Sequence, residues 1–193
     1  MDVFELAKRR KTVRKFDKKE VPMDDILHCI EVAKEAPSGM NSQPWRFLII
    51  RNAEVKKKLR ELCEKAEKNF HEKVADKNLG KWMEKRNITW KKNFIEDAPL
   101  LLLVFSWKAA PYFIQSTWLM LGYLLLALEE RGLATVTYTP PNPGEIREFF
   151  SVNEDYKLQT ILPIGYSLDE KTKEERKELE EMVYMERWGA SMR

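Results

Sequence analysis

Cysteine and histidine are scarce, with two of each in 193 residues. Cys29 and Cys63 stand alone, without the spacing of a metal site. They predict reduced core thiols in a reducing compartment, not a disulfide framework. With His28 and His71 as the only histidines, serine–histidine–acid hydrolysis is disfavoured. No stretch resembles a dinucleotide fingerprint. Neither sign of charge dominates: 34 basic residues against 31 acidic give a net +3, which by itself implies no nucleic acid. Long apolar runs are also missing. Residues 112–128 come nearest to a membrane span, but Gln115, Ser116 and Thr117 interrupt them and the run is short. They read as the central buried helix of a domain or dimer. The N-terminal MDVFELAKRRK lacks the apolar region of a signal peptide, so a cytoplasmic, membrane-free protein is expected.

What is present fits one domain over residues 1–193 with a real core. The hydrophobic fraction is 44% and the charged fraction 34%, the latter mostly Lys and Glu, a usage that points to a thermophile. Helices are predicted over residues 2–10, 24–36 and 53–66. Asp24 is the expected N-cap of the second, with Ile26, Leu27, Ile30 and Ala33 as its apolar stripe. Strands are predicted over 45–50, 100–107, 133–138 and 158–164, with LLLLVFSW at 100–107 buried on both faces. Residues 67–97 are charged yet carry Phe70, Trp82, Met83, Ile88, Trp90 and Phe94, a pattern expected of a helical cover. A turn over 140–144 leads into a short helix with Ile146, Phe149 and Phe150 inward. Residues 169–181 are charged and helix-prone. The tail, 183–193, carries Val183, Tyr184, Met185 and Trp188, which a partner subunit would bury. The alternation predicts an α+β sandwich.

Two segments carry candidate chemistry. In RKTVRKF, residues 10–16, an extended backbone projects Arg10, Thr12 and Arg14 to one side. Two guanidinium groups and a hydroxyl make a good phosphate clamp. Taken alone, the segment reads first as a solvated basic patch or a nucleic-acid arm. In APSGMNSQPW, residues 36–45, a helix stops at Pro37 and a turn-forming loop offers free N–H groups. Taken alone, it reads as an ordinary helix stop.

Together the two segments resemble the FMN-dependent nitroreductase superfamily. The resemblance implies a nitroreductase-like fold, a central sheet flanked by helices, and an intertwined homodimer. FMN would be held by Arg10, Lys11, Thr12, Val13, Arg14, Ser38, Gly39, Asn41 and Arg176, partly across the interface. LPIGY at 162–166, followed by RKELEEMV, supplies the match that makes Arg176 a phosphate ligand. GLATVTYTPPN, residues 132–142, is similar to a signature of iodotyrosine deiodinases. By that likeness Thr137, Tyr138 and Thr139 line the isoalloxazine. Thr139 is the catalytic residue, its hydroxyl on flavin N5 steering the cofactor from hydride transfer to one-electron steps. On the residues alone, these threonines express β-propensity.

Glu67, His71 and Lys92 match the positions with which deiodinases bind a substrate zwitterion. His71 stands where the family has Tyr. ITWKKNF…DAP, residues 88–99, resembles the family's Trp-x-Lys…Ala-Pro and supports the placement of Lys92, although on the residues alone Glu and Lys of a charged helix read as solvated. The backbone N–H of Met40 matches the group that holds the substrate phenolate. The activity implied is FMN-dependent reductive dehalogenation of halotyrosines with an external electron donor and no metal. The alternative on the same fold is a general NAD(P)H-dependent nitroreductase or flavin reductase.

Overall fold

The computed structural model describes residues 2–73, 77–86 and 88–190. Among these, the helices are α1 (Val3–Arg9), α2 (Met23–Lys34), α3 (Ala53–Lys73), α4 (Lys77–Lys85), α5 (Phe94–Asp97), α6 (Phe113–Glu130) and α7 (Pro143–Phe149). The strands are β1 (Trp45–Ile50), β2 (Leu100–Trp107), β3 (Ala134–Thr135) and β4 (Tyr156–Gly165), in sheet order β1-β2-β4-β3 with every pairing antiparallel. Trp45 lies opposite Ser106, and Leu100 opposite Ile164.

Successive side chains of a strand point to opposite faces, so β2 feeds two cores. Leu100, Leu102 and Val104 pack with Ile26, Cys29 and Ala33 of α2 and Leu121, Leu124 and Leu128 of α6. Leu101, Leu103 and Phe105 pack the other way, with Leu59 and Cys63 of α3, Phe94 and Ile95 of α5, and Ile146 of α7. Helices therefore cover both faces of the sheet, as the α+β sandwich expected from the sequence requires. Both cysteines are free and buried, and burial pushes each thiol up to about 12.

Several local expectations are corrected. Pro22, not Asp24, occupies the N-cap of α2 and makes no side-chain bond; Asp24 and Asp25 sit in the first turn, where they favour the helix dipole. Leu27 is exposed, because the buried stripe runs Ile26, Cys29, Ala33. The third helix continues from 66 to Lys73. The strand expected over 133–138 pairs regularly only at Ala134–Thr135. Beyond it, Tyr138 meets Ile161 in an isolated bridge with reciprocal backbone bonds of 3.0 and 2.8 Å. Phe149 faces outward while Ile146 is fully buried.

Residues 169–181 are not an α-helix; only a 3-10 turn, Leu179–Glu181, forms there. The segment has no apolar stripe to dock, and helices depend on such docking. The chain from Tyr166 to Lys171 runs instead as a strap along residues 11–17. The Asp17 amide donates to the Tyr166 carbonyl at 2.9 Å and the Leu168 amide to Lys15 at 2.9 Å. Lys11 Nζ donates to the Lys171 carbonyl at 2.8 Å and also to that of Asp169. Val183, Tyr184, Met185 and Trp188 of the tail are exposed. No helix among the described residues is long and apolar enough to cross a membrane.

Candidate active site

A cleft of about 600 Å³ opens between the α3–α4 cover, the β3 edge and the strap. Three groups of residues line it. The first is cationic: Lys11, Arg14, Lys171, Lys173 and Arg176, with Thr12. Lys171 pairs with Glu174 at 3.5 Å, but Lys11, Arg14, Lys173 and Arg176 meet no carboxylate within 4.0 Å among the described residues. Lys173 donates to the Lys8 carbonyl at 3.0 Å. Burial and the neighbouring charges of Arg10 and Arg176 push its ammonium below the usual lysine range. The four cations left without a carboxylate, Lys11, Arg14, Lys173 and Arg176, suit a phosphate-sized anion.

The strap that brings them there is fastened by Asp169. Its Oδ2 accepts from the Arg14 amide at 3.1 Å and its Oδ1 from the Lys171 amide at 3.1 Å. Burial pushes this carboxyl up, but the two amides and the charges of Lys11 and Lys15 outweigh it and hold it below the usual range.

The second group is Val136, Thr137, Tyr138 and Thr139. Thr137 is half-buried and Thr139 exposed, both within the cleft wall. Tyr138 is buried, with its ring edge-on to Phe94 at 5.6 Å.

The third group is Glu67, His71 and Lys92, under Phe70, Leu79, Trp82 and Met83. Cys63, Glu67 and His71 recur at four-residue steps, so one face of α3 presents all three. Glu67 is 8% exposed and Lys92 6%. The Tyr138 hydroxyl donates to Glu67 Oε1 at 2.9 Å; Lys92 Nζ lies 3.2 Å from Oε2 and His71 Nε2 3.4 Å from it. His71 Nε2 is buried without an aligned hydrogen bond. Lys92 is placed by its backbone: its amide donates to Glu64 Oε1 at 2.8 Å, and Arg60 grips Glu64 and Glu96 at 2.7 Å each. Burial, with Cys63 and Glu67 nearby, drives the Tyr138 hydroxyl far above its ordinary value, so it remains a donor.

The structure thus brings together Lys11, Thr12, Arg14, Glu67, His71, Lys92, Thr137, Tyr138, Thr139 and Arg176. Arg10 is outside the lining but close enough to act on Lys173. Val13 is buried in the core, its amide donating to Thr135 at 3.0 Å. Ser38, Gly39, Met40 and Asn41 do not line this cleft in the single chain. Their loop packs on the start of α6, where the Gly39 amide donates to Ser116 Oγ at 3.1 Å. Met40 and Asn41 adopt left-handed backbones, with φ of 53° and 51°, and Met40 is 89% exposed. Sequence reasoning missed Lys171 and Lys173. An extended reading of 171–173 would have put both on one side.

A family model described as the nitroreductase family matches residues 7–166. An iodotyrosine deiodinase of Thermotoga neapolitana is 49% identical over 177 residues, 92% of this chain and 95% of the relative. The iodotyrosine deiodinase of Nematostella vectensis is 33% identical over 180 residues, 86% of this chain and 67% of its own length. A solved structure of oxidised iodotyrosine deiodinase bound to FMN and 3-iodo-L-tyrosine superposes with a TM-score of 0.89 at 48% identity, covering 92% of this chain and 96% of that one. With the family model spanning the segment that builds both cores and most of the cleft, the chain belongs to the nitroreductase family and, within it, to the iodotyrosine deiodinases.

Proposed function

We propose that this chain is an FMN-dependent oxidoreductase that removes halogen from halotyrosines. It works as a homodimer and takes electrons from an external donor. The observation that carries this reading is the buried Glu67–Lys92 pair, 3.2 Å apart, in the same cleft as the unpaired cations. Isolated from water, opposite charges at that spacing match an amino-acid zwitterion: the substrate ammonium pairs with Glu67 and its carboxylate with Lys92. His71, one helical turn from Glu67, offers a further donor to the carboxylate.

The cleft also fits FMN. Arg14, Lys173 and Arg176, backed by Arg10, Lys11 and Thr12, would hold the phosphate. Thr137 and Thr139 would meet the ring, with the Thr139 hydroxyl as the donor to N5. FMN, once reduced by the external donor, would supply two electrons that with one proton exchange the carbon–halogen bond for carbon–hydrogen and release halide. The chain's own residues bind and orient the substrate, and Phe70, Leu79 and Trp82 cover it and exclude water.

Ser38, Gly39, Asn41 and the Met40 N–H, remote from their own chain's cleft, would serve the second copy's. Support for that copy comes from the exposed apolar side chains Ile114, Trp118, Leu119 and Tyr123 of α6, next to this loop, and from the exposed tail. The two buried thiols suit a cytoplasmic protein, and the Lys- and Glu-rich composition a thermophilic source.

The test is anaerobic. FMN-loaded protein reduced with dithionite and mixed with 3-iodotyrosine should release iodide and reoxidise. Reduction of nitroaromatics with no iodide release would instead favour the general nitroreductase.

A further inference from the structure

We infer that Tyr138 is a positioning residue for substrate recognition, tying the Glu67 carboxylate to the segment that carries Thr137 and Thr139. The inference rests on the halotyrosine reading above. Glu67 uses its two oxygens differently. Oε1 accepts from the Tyr138 hydroxyl at 2.9 Å, while Oε2 faces Lys92 at 3.2 Å and His71 at 3.4 Å. The hydroxyl therefore fixes one oxygen and leaves the other turned to the groups that meet a ligand.

Tyr138 can do this because it is itself held. Its backbone exchanges two hydrogen bonds with Ile161, and Phe94 meets its ring at an interplanar angle of 77°. The centroid of the same ring lies 5.8 Å from Lys92 Nζ, within cation–π range, so Tyr138 adjoins both members of the head-group pair. Glu67 lies in the last two turns of α3, and alone that helix end would not fix its rotamer. Tyr138 is buried while Thr137 is half-buried and Thr139 exposed, so its side chain turns inward from the stretch whose threonines reach the cleft surface. Movement of those threonines toward a bound ring would therefore be felt at Glu67.

Tyr138→Phe keeps the ring and removes the hydroxyl. In the FMN-loaded protein it should weaken 3-iodotyrosine binding about tenfold, the scale of one hydrogen bond to a charged group. Binding of 2-iodophenol, which has no zwitterion, should be unaffected. In a Glu67→Ala background the Tyr138→Phe effect should vanish. Equal 3-iodotyrosine affinity in wild type and Tyr138→Phe, or the same loss without Glu67, would overturn the inference. If the wild type binds no halotyrosine, the functional reading falls. The tie is then decided by the Tyr138 hydroxyl proton in the NMR spectrum: protection from exchange that survives Glu67→Ala overturns it, and loss of protection supports it.

Discussion

Gly39 has no room for a side chain. A Cβ there would lie 2.8 Å from the Pro111 carbonyl oxygen and 3.0 Å from the Tyr112 ring. Gly39→Ala should therefore cost about 1–3 kcal/mol, read as a lowered denaturant midpoint, because backbone cannot step aside as a flexible side chain can. The need for glycine was legible in the loop's turn chemistry. Its reason was not, since the neighbour lies some seventy residues on. Glu67 and Lys92 were legible as a pair from their likeness to known sequences. The direction of Tyr138 was not taken from the sequence, because regular pairing stops at Thr135 and strand periodicity does not extend to it. The buried thiols give a second prediction. Ellman's reagent at pH 8 should titrate neither cysteine in the native protein and both after denaturation. Each thiol is raised from 9.0 to about 12 on folding, so the folded state holds its protons more tightly. Their contribution to stability is complete below pH 9 and is lost as pH climbs toward 12, seen as a falling melting temperature.

Among the elements, the strap after β4 departs most from expectation. Helix propensity was read from its Lys and Glu content, but a helix without an apolar stripe has nothing to dock. Main-chain bonds to residues 15 and 17 make it an extended companion of the basic segment and bring Lys173 beside Arg10. Asp169→Asn should weaken FMN binding and lower the melting temperature at pH 7. The carboxyl is held below its ordinary 3.8, so its benefit is present above that value and disappears as pH falls through the lower, folded-state value. The gap in melting temperature between wild type and variant should accordingly close on acidification. The strands, by contrast, were largely legible. β2 is apolar without a break from Leu100 to Phe105 because both of its faces are covered.

For the whole molecule, the exposed apolar side of α6 decides the outcome. Residues 112–128 read as a helix apolar nearly all round, and one side of it, through Met120, Leu121, Leu124 and Leu128, fills a core inside the chain. Ile114, Trp118, Leu119 and Tyr123 remain outside it. On the proposed homodimer, Leu119→Arg should give a monomer in sedimentation that has lost FMN, with secondary structure intact. A monomer that retains FMN would refute the shared site. No single sequence shows which surfaces a second copy covers. Hence Ser38, Gly39, Met40 and Asn41 could be nominated from the sequence, while the chain by itself leaves them outside its own cleft.

One helix, α3, is at once foundation and lever. Its first half lies in a core, with Leu59 and Cys63 fully buried, and its last turns reach out to carry Glu67 and His71 over the cleft. The helix therefore differs in opening free energy along its length, the exposed end beyond Glu67 fraying at lower cost while the inner turns open only with the core. Hydrogen exchange should show amides 69–73 exchanging much faster than 57–64 in the free protein. A bound halotyrosine should slow only the outer set. Recognition would then be felt as the completion of a helix.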